Sequence, residues 1–106
     1  MQVSDQLRKS TYGYTHWCPG CRCCHHIAVD EPNASGAMWY FDRNLNKPTF
    51  SPSVYFRYLD QKGMPIGICH YHLVAGQLSF QDDCTHGYVG RIVDLPALPP
   101  GLRDKE

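Results

Sequence analysis

The sequence predicts a mostly β fold with small α content, built as a compact antiparallel domain. Three observations lead there. Seven short runs of alternating, β-branched or aromatic residues recur along the 106-residue chain. Clusters of Gly, Pro, Asn and Asp (DEPNASG, DRNLNKP, DQKGMP) separate them. No long stretch carries helical periodicity. A chain of this length forms a single domain, 1–106, with the core expected over about 12–96 and frayed termini.

Residues 4–10, SDQLRKS, predict one short helical turn capped by Ser4 or Asp5. The first strand follows in YGYTHW (12–17), which alternates aromatic with small or polar residues. HHIAV (25–29) is short and partly β-branched, AMWYF (37–41) is aromatic, and SVYFRY (53–58) alternates well. IGICHYHLV (66–74) and QLSF (77–80) flank Ala75-Gly76, and YVGRIVDL (88–95) supplies the last strand. The tail PALPPGLRDKE is Pro-rich and then charged, so it is expected to leave the core.

The hairpin gives a specific register. If Ala75-Gly76 is a two-residue turn, Val74 pairs with Gln77, Leu73 with Leu78 and Tyr71 with Phe80. Cys69 then faces Asp82 and lies on the core side with Tyr71 and Leu73, while His70 and His72 point the other way. Cys84 and His86 reach the core side as well if the strand runs on. A bulge at Asp82-Asp83 would flip them.

Ten Lys plus Arg balance ten Asp plus Glu, so charge favours neither nucleic acid nor a membrane surface. No apolar run reaches the ~20 residues of a membrane helix, and the N-terminus lacks a signal-peptide core. The expectation is a cytoplasmic protein. A reducing cytoplasm disfavours structural disulfides, which leaves six cysteines to explain. Cys18-Pro-Gly-Cys21 is a C-x-x-C knuckle, able to give two thiolates to one ion. The βαβ setting of a thioredoxin-like redox pair is missing. ICHYH and DDCTH supply a second cluster, so the cofactor predicted is zinc, stabilising the β domain. The face argument favours Cys69 and Cys84 as partners of Cys18 and Cys21. A rival set takes His70 and His86. A third divides the ligands between two ions, with some of Cys23, Cys24, His25 and His26 on the second.

Catalytic candidates overlap these. In Asp82-Asp83-Cys84-Thr85-His86 an Asp can orient a His, and His70 or His86 can act as a base. Ser51 and Ser53 offer hydroxyls, although no Gly-x-Ser-x-Gly elbow surrounds them and turn chemistry beside Pro48 and Pro52 accounts for them too. No His-Glu-x-x-His motif is present.

Taken in order, the motifs are Trp17-Cys18-Pro19-Gly20-Cys21, Trp39-Tyr40-Phe41, Pro48-Thr49-Phe50-Ser51-Pro52-Ser53, Cys69-His70, Asp83-Cys84-Thr85-His86 and Gly90 to Pro96. Over roughly residues 15–96 this order resembles a family of small phage and bacterial proteins often labelled "ammonia monooxygenase". The resemblance implies a cytoplasmic or phage-encoded domain with a zinc site. Cys18, Cys21, Cys69, His70, Cys84 and His86 are its family-type metal or active-site candidates, and Ser51 and Ser53 its motif residues. Association of relatives with bacterial ubiquitin-like conjugation genes implies a peptidase or hydrolase role. The monooxygenase label has no support in these residues.

Two functions follow as expectations. The first is a zinc-binding accessory module that engages a protein partner, such as a host protein. The alternative is a small zinc-dependent hydrolase or peptidase linked to ubiquitin-like systems. In it the metal keeps a position open for water, and His70, Asp83 or His86 assists. Four protein ligands would favour the first, three plus water the second.

Overall fold

The computed structural model describes residues 1–104. Eight strands follow in order: β1 Arg8–Ser10, β2 Gly13–Cys18, β3 Cys23–Ala28, β4 Tyr40–Phe41, β5 Phe50–Leu59, β6 Pro65–Val74, β7 Gln77–Phe80 and β8 Ile92–Asp94. They form two antiparallel meanders, a three-stranded sheet β1-β2-β3 and a five-stranded sheet β4-β5-β6-β7-β8. The only helical element among the described residues is a 3-10 turn at Pro100–Leu102.

The apolar alternation read from the sequence is the alternation observed. On β6, Cys69, Tyr71 and Leu73 are fully buried, His70 is half-buried and His72 exposed. The hairpin register is Tyr71↔Phe80, His72↔Ser79, Leu73↔Leu78 and Val74↔Gln77. Ala75 and Gly76 both have positive φ, 49° and 78°, as a type I′ turn requires. Gly76 also presses against the preceding loop, where a Cβ would sit 3.1 Å from the Lys47 Cα.

Two expectations at the ends change. Ser4 does cap, its Oγ accepting the Gln6 and Leu7 N–H groups at 3.3 and 3.1 Å. No helical turn follows, because Leu7 is drawn fully into the core and Arg8–Ser10 pairs with β2. At the other end, Leu98 is 1% exposed and its N–H donates to Asp5 O at 2.8 Å. Arg103 Nε donates to Leu98 O at 2.7 Å, and Asp104 pairs with Arg8 at 2.7 Å. Through Asp104 the tail therefore packs on the first sheet rather than fraying. Lys105 and Glu106 lie outside the described residues.

The core fills the space between the two sheets. Tyr14 of β2 meets Phe41 of β4 edge-on at 4.8 Å, and Phe41 stacks on Phe50 at 4.5 Å. A buried polar link joins the sheets nearby. Burial pushes His16 down to about 4, so its ring is neutral near pH 7. Its Nδ1 lies 3.2 Å from Trp17 O, which places the proton there. Nε2 then accepts from Tyr71 Oη at 2.6 Å. Both rings sit in dry surroundings, where an unsatisfied acceptor costs more than the bond itself contributes. Tyr71→Phe is expected to lower unfolding free energy by about 1–3 kcal/mol, read as a shifted midpoint in urea with unchanged m-value.

Candidate active site and metal centre

Strand alternation on β6 separates two sets of reactive side chains. Cys69 points into the core and His70 points out.

On the inner side the β2–β3 hairpin closes around the knuckle. Arg22 takes positive φ, 55°, its N–H bonds to Cys18 O at 2.8 Å, and the Cys21 N–H points at Cys18 Sγ at 3.5 Å. The register pairs Cys18 with Cys23 and His16 with His25, so His25 shares the buried face with Cys18. Cys69 approaches from β6, its Sγ 3.9 Å from that of Cys18. The ligand atoms of Cys18, Cys21, His25 and Cys69 all lie within 4.8 Å of one another. Among the described residues all six cysteines are free thiols.

The electrostatics of this cluster suit a cation. The hydrogen bond from the Cys69 thiol holds Cys18 far below the usual thiol range, to about 3, and pushes Cys69 well above it. Burial raises Cys21 to about 11. A divalent ion would replace the shared protons and hold all three sulfurs as thiolates. His25 supplies the fourth donor. It is 3% exposed, its ring stacks on Phe56 at 4.2 Å, and its Nε2 is buried without a hydrogen-bond partner. An orphaned buried nitrogen is costly unless something ligates it.

A second group, Cys69, Cys84 and His86, also fits within 4.8 Å and shares Cys69 with the first. His86 Nδ1 accepts the Tyr88 N–H at 3.1 Å, and its Nε2 is likewise buried and unpartnered. Its ring lies against the knuckle, where a Cβ on Gly20 would come 2.3 Å from His86 Cε1. Only glycine leaves that room. Of the six metal candidates, then, Cys18, Cys21 and Cys69 meet in the four-donor cluster. Cys84 and His86 stand in the neighbouring group, and His70 lies in neither.

His70 is placed for other work. Its Nδ1 is 3.0 and 3.1 Å from Asp83 Oδ1 and Oδ2, and its Nε2 is 3.1 Å from Ser53 Oγ. Ser53 lies at an irregularity in β5. Phe50 pairs with Leu73 but Val54 with Tyr71, so four steps on β5 span two on β6. Ser51, Pro52 and Ser53 bulge out of the ladder there, with a cis peptide between Ser51 and Pro52. Ser53 meets His70 across this slip in register. Trp39 fixes the segment through an Nε1–H bond to Ser53 O at 3.2 Å. Ser51 instead pairs with Tyr40 and is exposed. Asp83 comes from a tight turn that ends β7, where Cys84 N–H bonds to Gln81 O at 3.2 Å. A hydroxyl, an imidazole and a carboxylate in this chain of hydrogen bonds can work as nucleophile, general base and orienting group.

The fold and these side chains define a small all-β domain with a serine–histidine–aspartate constellation on one face of a strand and a cysteine–histidine metal cluster behind it. The chain belongs to the BubE family, described as the serine protease of a bacterial ubiquitination-like system, whose model matches residues 2–81. That span includes Ser53, His70 and the four cluster residues, and ends two residues before Asp83. No curated protein and no solved structure matches the chain.

Metal content separates the two histidine sides. Protein prepared under reducing conditions is expected to carry about one divalent ion per chain. His25→Ala should lower metal content, while His70→Ala should retain it, read by elemental analysis of the purified variants. Full metal content in His25→Ala would contradict the four-donor assignment.

Proposed function

We propose that this protein is a serine peptidase acting on a protein substrate of a ubiquitin-like system, with a zinc ion in a structural role. The observation that carries the reading is the hydrogen-bonded chain Ser53 Oγ–His70 Nε2 and His70 Nδ1–Asp83. The family description supports both the reaction class and the system. In the reaction, Ser53 Oγ attacks the scissile carbonyl while His70 Nε2 takes its proton. Asp83 accepts the His70 Nδ1–H, fixes the tautomer and stabilises the imidazolium. His70 then returns the proton to the leaving amine, and water releases the acyl group from Ser53 by the reverse path.

This replaces metal-bound water with a serine as nucleophile. Cys18, Cys21, His25 and Cys69 would hold zinc, and four protein ligands leave no open position, as in structural sites. Three sulfurs and one nitrogen suit zinc by donor softness. The zinc supplies folding free energy rather than chemistry. The triad is open: the His70 and Asp83 side chains are 27% and 48% exposed. Shielding from water would come from the docked substrate, which fits a protein rather than a small molecule. A reducing, cytoplasmic location fits the free thiols, and no described helix is long and apolar enough to cross a membrane.

Ser53→Ala, His70→Ala and Asp83→Asn are each expected to cut kcat at least about 10³-fold with zinc and fold retained. Ser51→Ala should stay near wild type. The assay follows release of a C-terminal extension from a ubiquitin-like fusion. Undiminished cleavage by Ser53→Ala would refute the nucleophile assignment.

A further inference from the structure

We propose that Cys84 is a positioning residue for the base His70. The inference rests on the serine-peptidase reading, and its support is the way β6 is paired beyond the end of β7. In a continued hairpin, His70 and Gln81 would exchange two backbone hydrogen bonds. Only one forms: the Gln81 N–H donates to His70 O at 2.8 Å. The turn at Asp82-Asp83 draws the Gln81 carbonyl away, onto the Cys84 N–H. The His70 N–H would then be left without a partner, and Cys84 takes it. Its Sγ accepts the His70 N–H at 3.2 Å, and its S–H donates to His70 O at 3.1 Å.

A single thiol therefore brackets both backbone groups of the base, and it belongs to the residue that follows the carboxylate. Asp83 and Cys84 grip His70 from two sides, one on the ring and one on the main chain. Displacing either group moves the imbalance onto the Nε2 that must face Ser53. The thiol is 7% exposed, so water does not readily substitute for it. Thr85 repeats the device one step along, its Oγ1 accepting the Ile68 N–H at 2.9 Å while its own N–H donates to Ile68 O at 3.0 Å. That residue touches no member of the triad and serves as the built-in control.

The experiment compares Cys84→Ala, Cys84→Ser and Thr85→Val for kcat, KM and bound metal. Losses of about tenfold or more in kcat are expected for Cys84→Ala, with KM and metal unchanged, because small displacements of a base are costly. A hydroxyl can both accept and donate, so Cys84→Ser should recover to within about threefold, and Thr85→Val should match wild type. A wild-type kcat in Cys84→Ala, a loss confined to KM, or a loss of bound metal overturns the proposal. So does Cys84→Ser no better than Cys84→Ala. Should the wild type itself cleave nothing, the peptidase reading fails on its own, and proton NMR of His70 then decides. A low-field Nδ1–H signal present in wild type and Cys84→Ser but lost in Cys84→Ala supports positioning. Its persistence in Cys84→Ala, or its absence from wild type, refutes it.

Discussion

Successive side chains of a β-strand must point to opposite faces, and on β6 this rule divides the molecule. Cys69 turns inward to Cys18, Cys21 and His25, and His70 turns outward to Ser53 and Asp83. One Cα–Cα step thus joins the cysteine–histidine cluster to the histidine held between Ser53 and Asp83. Whatever orders the cluster also orders the strand that carries His70. This chain has a modest core between two small sheets, and a domain of this size gains much from a bound ion.

The outward face needs more than alternation. Between Phe50 and Val54 the β5–β6 pairing slips by two residues, and Ser53 meets His70 across that slip. A regular β7 would keep Asp83 in the ladder, so the Asp82-Asp83 turn is what frees its carboxylate for His70 Nδ1. Both departures cost ladder hydrogen bonds. Side chains replace them: Trp39 at Ser53 O, Cys84 at His70 and Thr85 at Ile68. The order of these residues along the chain, serine, histidine, aspartate, differs from the usual hydrolase orders, as is allowed where geometry rather than sequence position defines such a constellation.

Much of the fold was legible because it follows from period-two patterning. The β6–β7 register came from matching Leu73 to Leu78 and Tyr71 to Phe80 across Ala75-Gly76, and the structure has that register. The knuckle was legible from its spacing. His25 is less conspicuous, although the same parity argument reaches it. With Cys18 and Cys23 closing a hairpin, His25 falls on the face of Ile27 and opposite His16. Ser53, His70 and Asp83 all stand among the sequence candidates, yet nothing in the sequence joins these three. Ser51 and Ser53 have the same parity on β5, so alternation alone does not choose between them. The tail misled because Pro-rich composition reads as loose chain, while Leu98 docks through one buried side chain.

We infer that metal on one face of β6 holds the triad on the other. Labelling with a fluorophosphonate, followed by intact mass and peptide mapping, tests it directly. A single label on Ser53 is expected in zinc-loaded protein, lost when zinc is stripped and regained when zinc is restored. Labelling that persists in the stripped protein, or that falls on a residue other than Ser53, would contradict it.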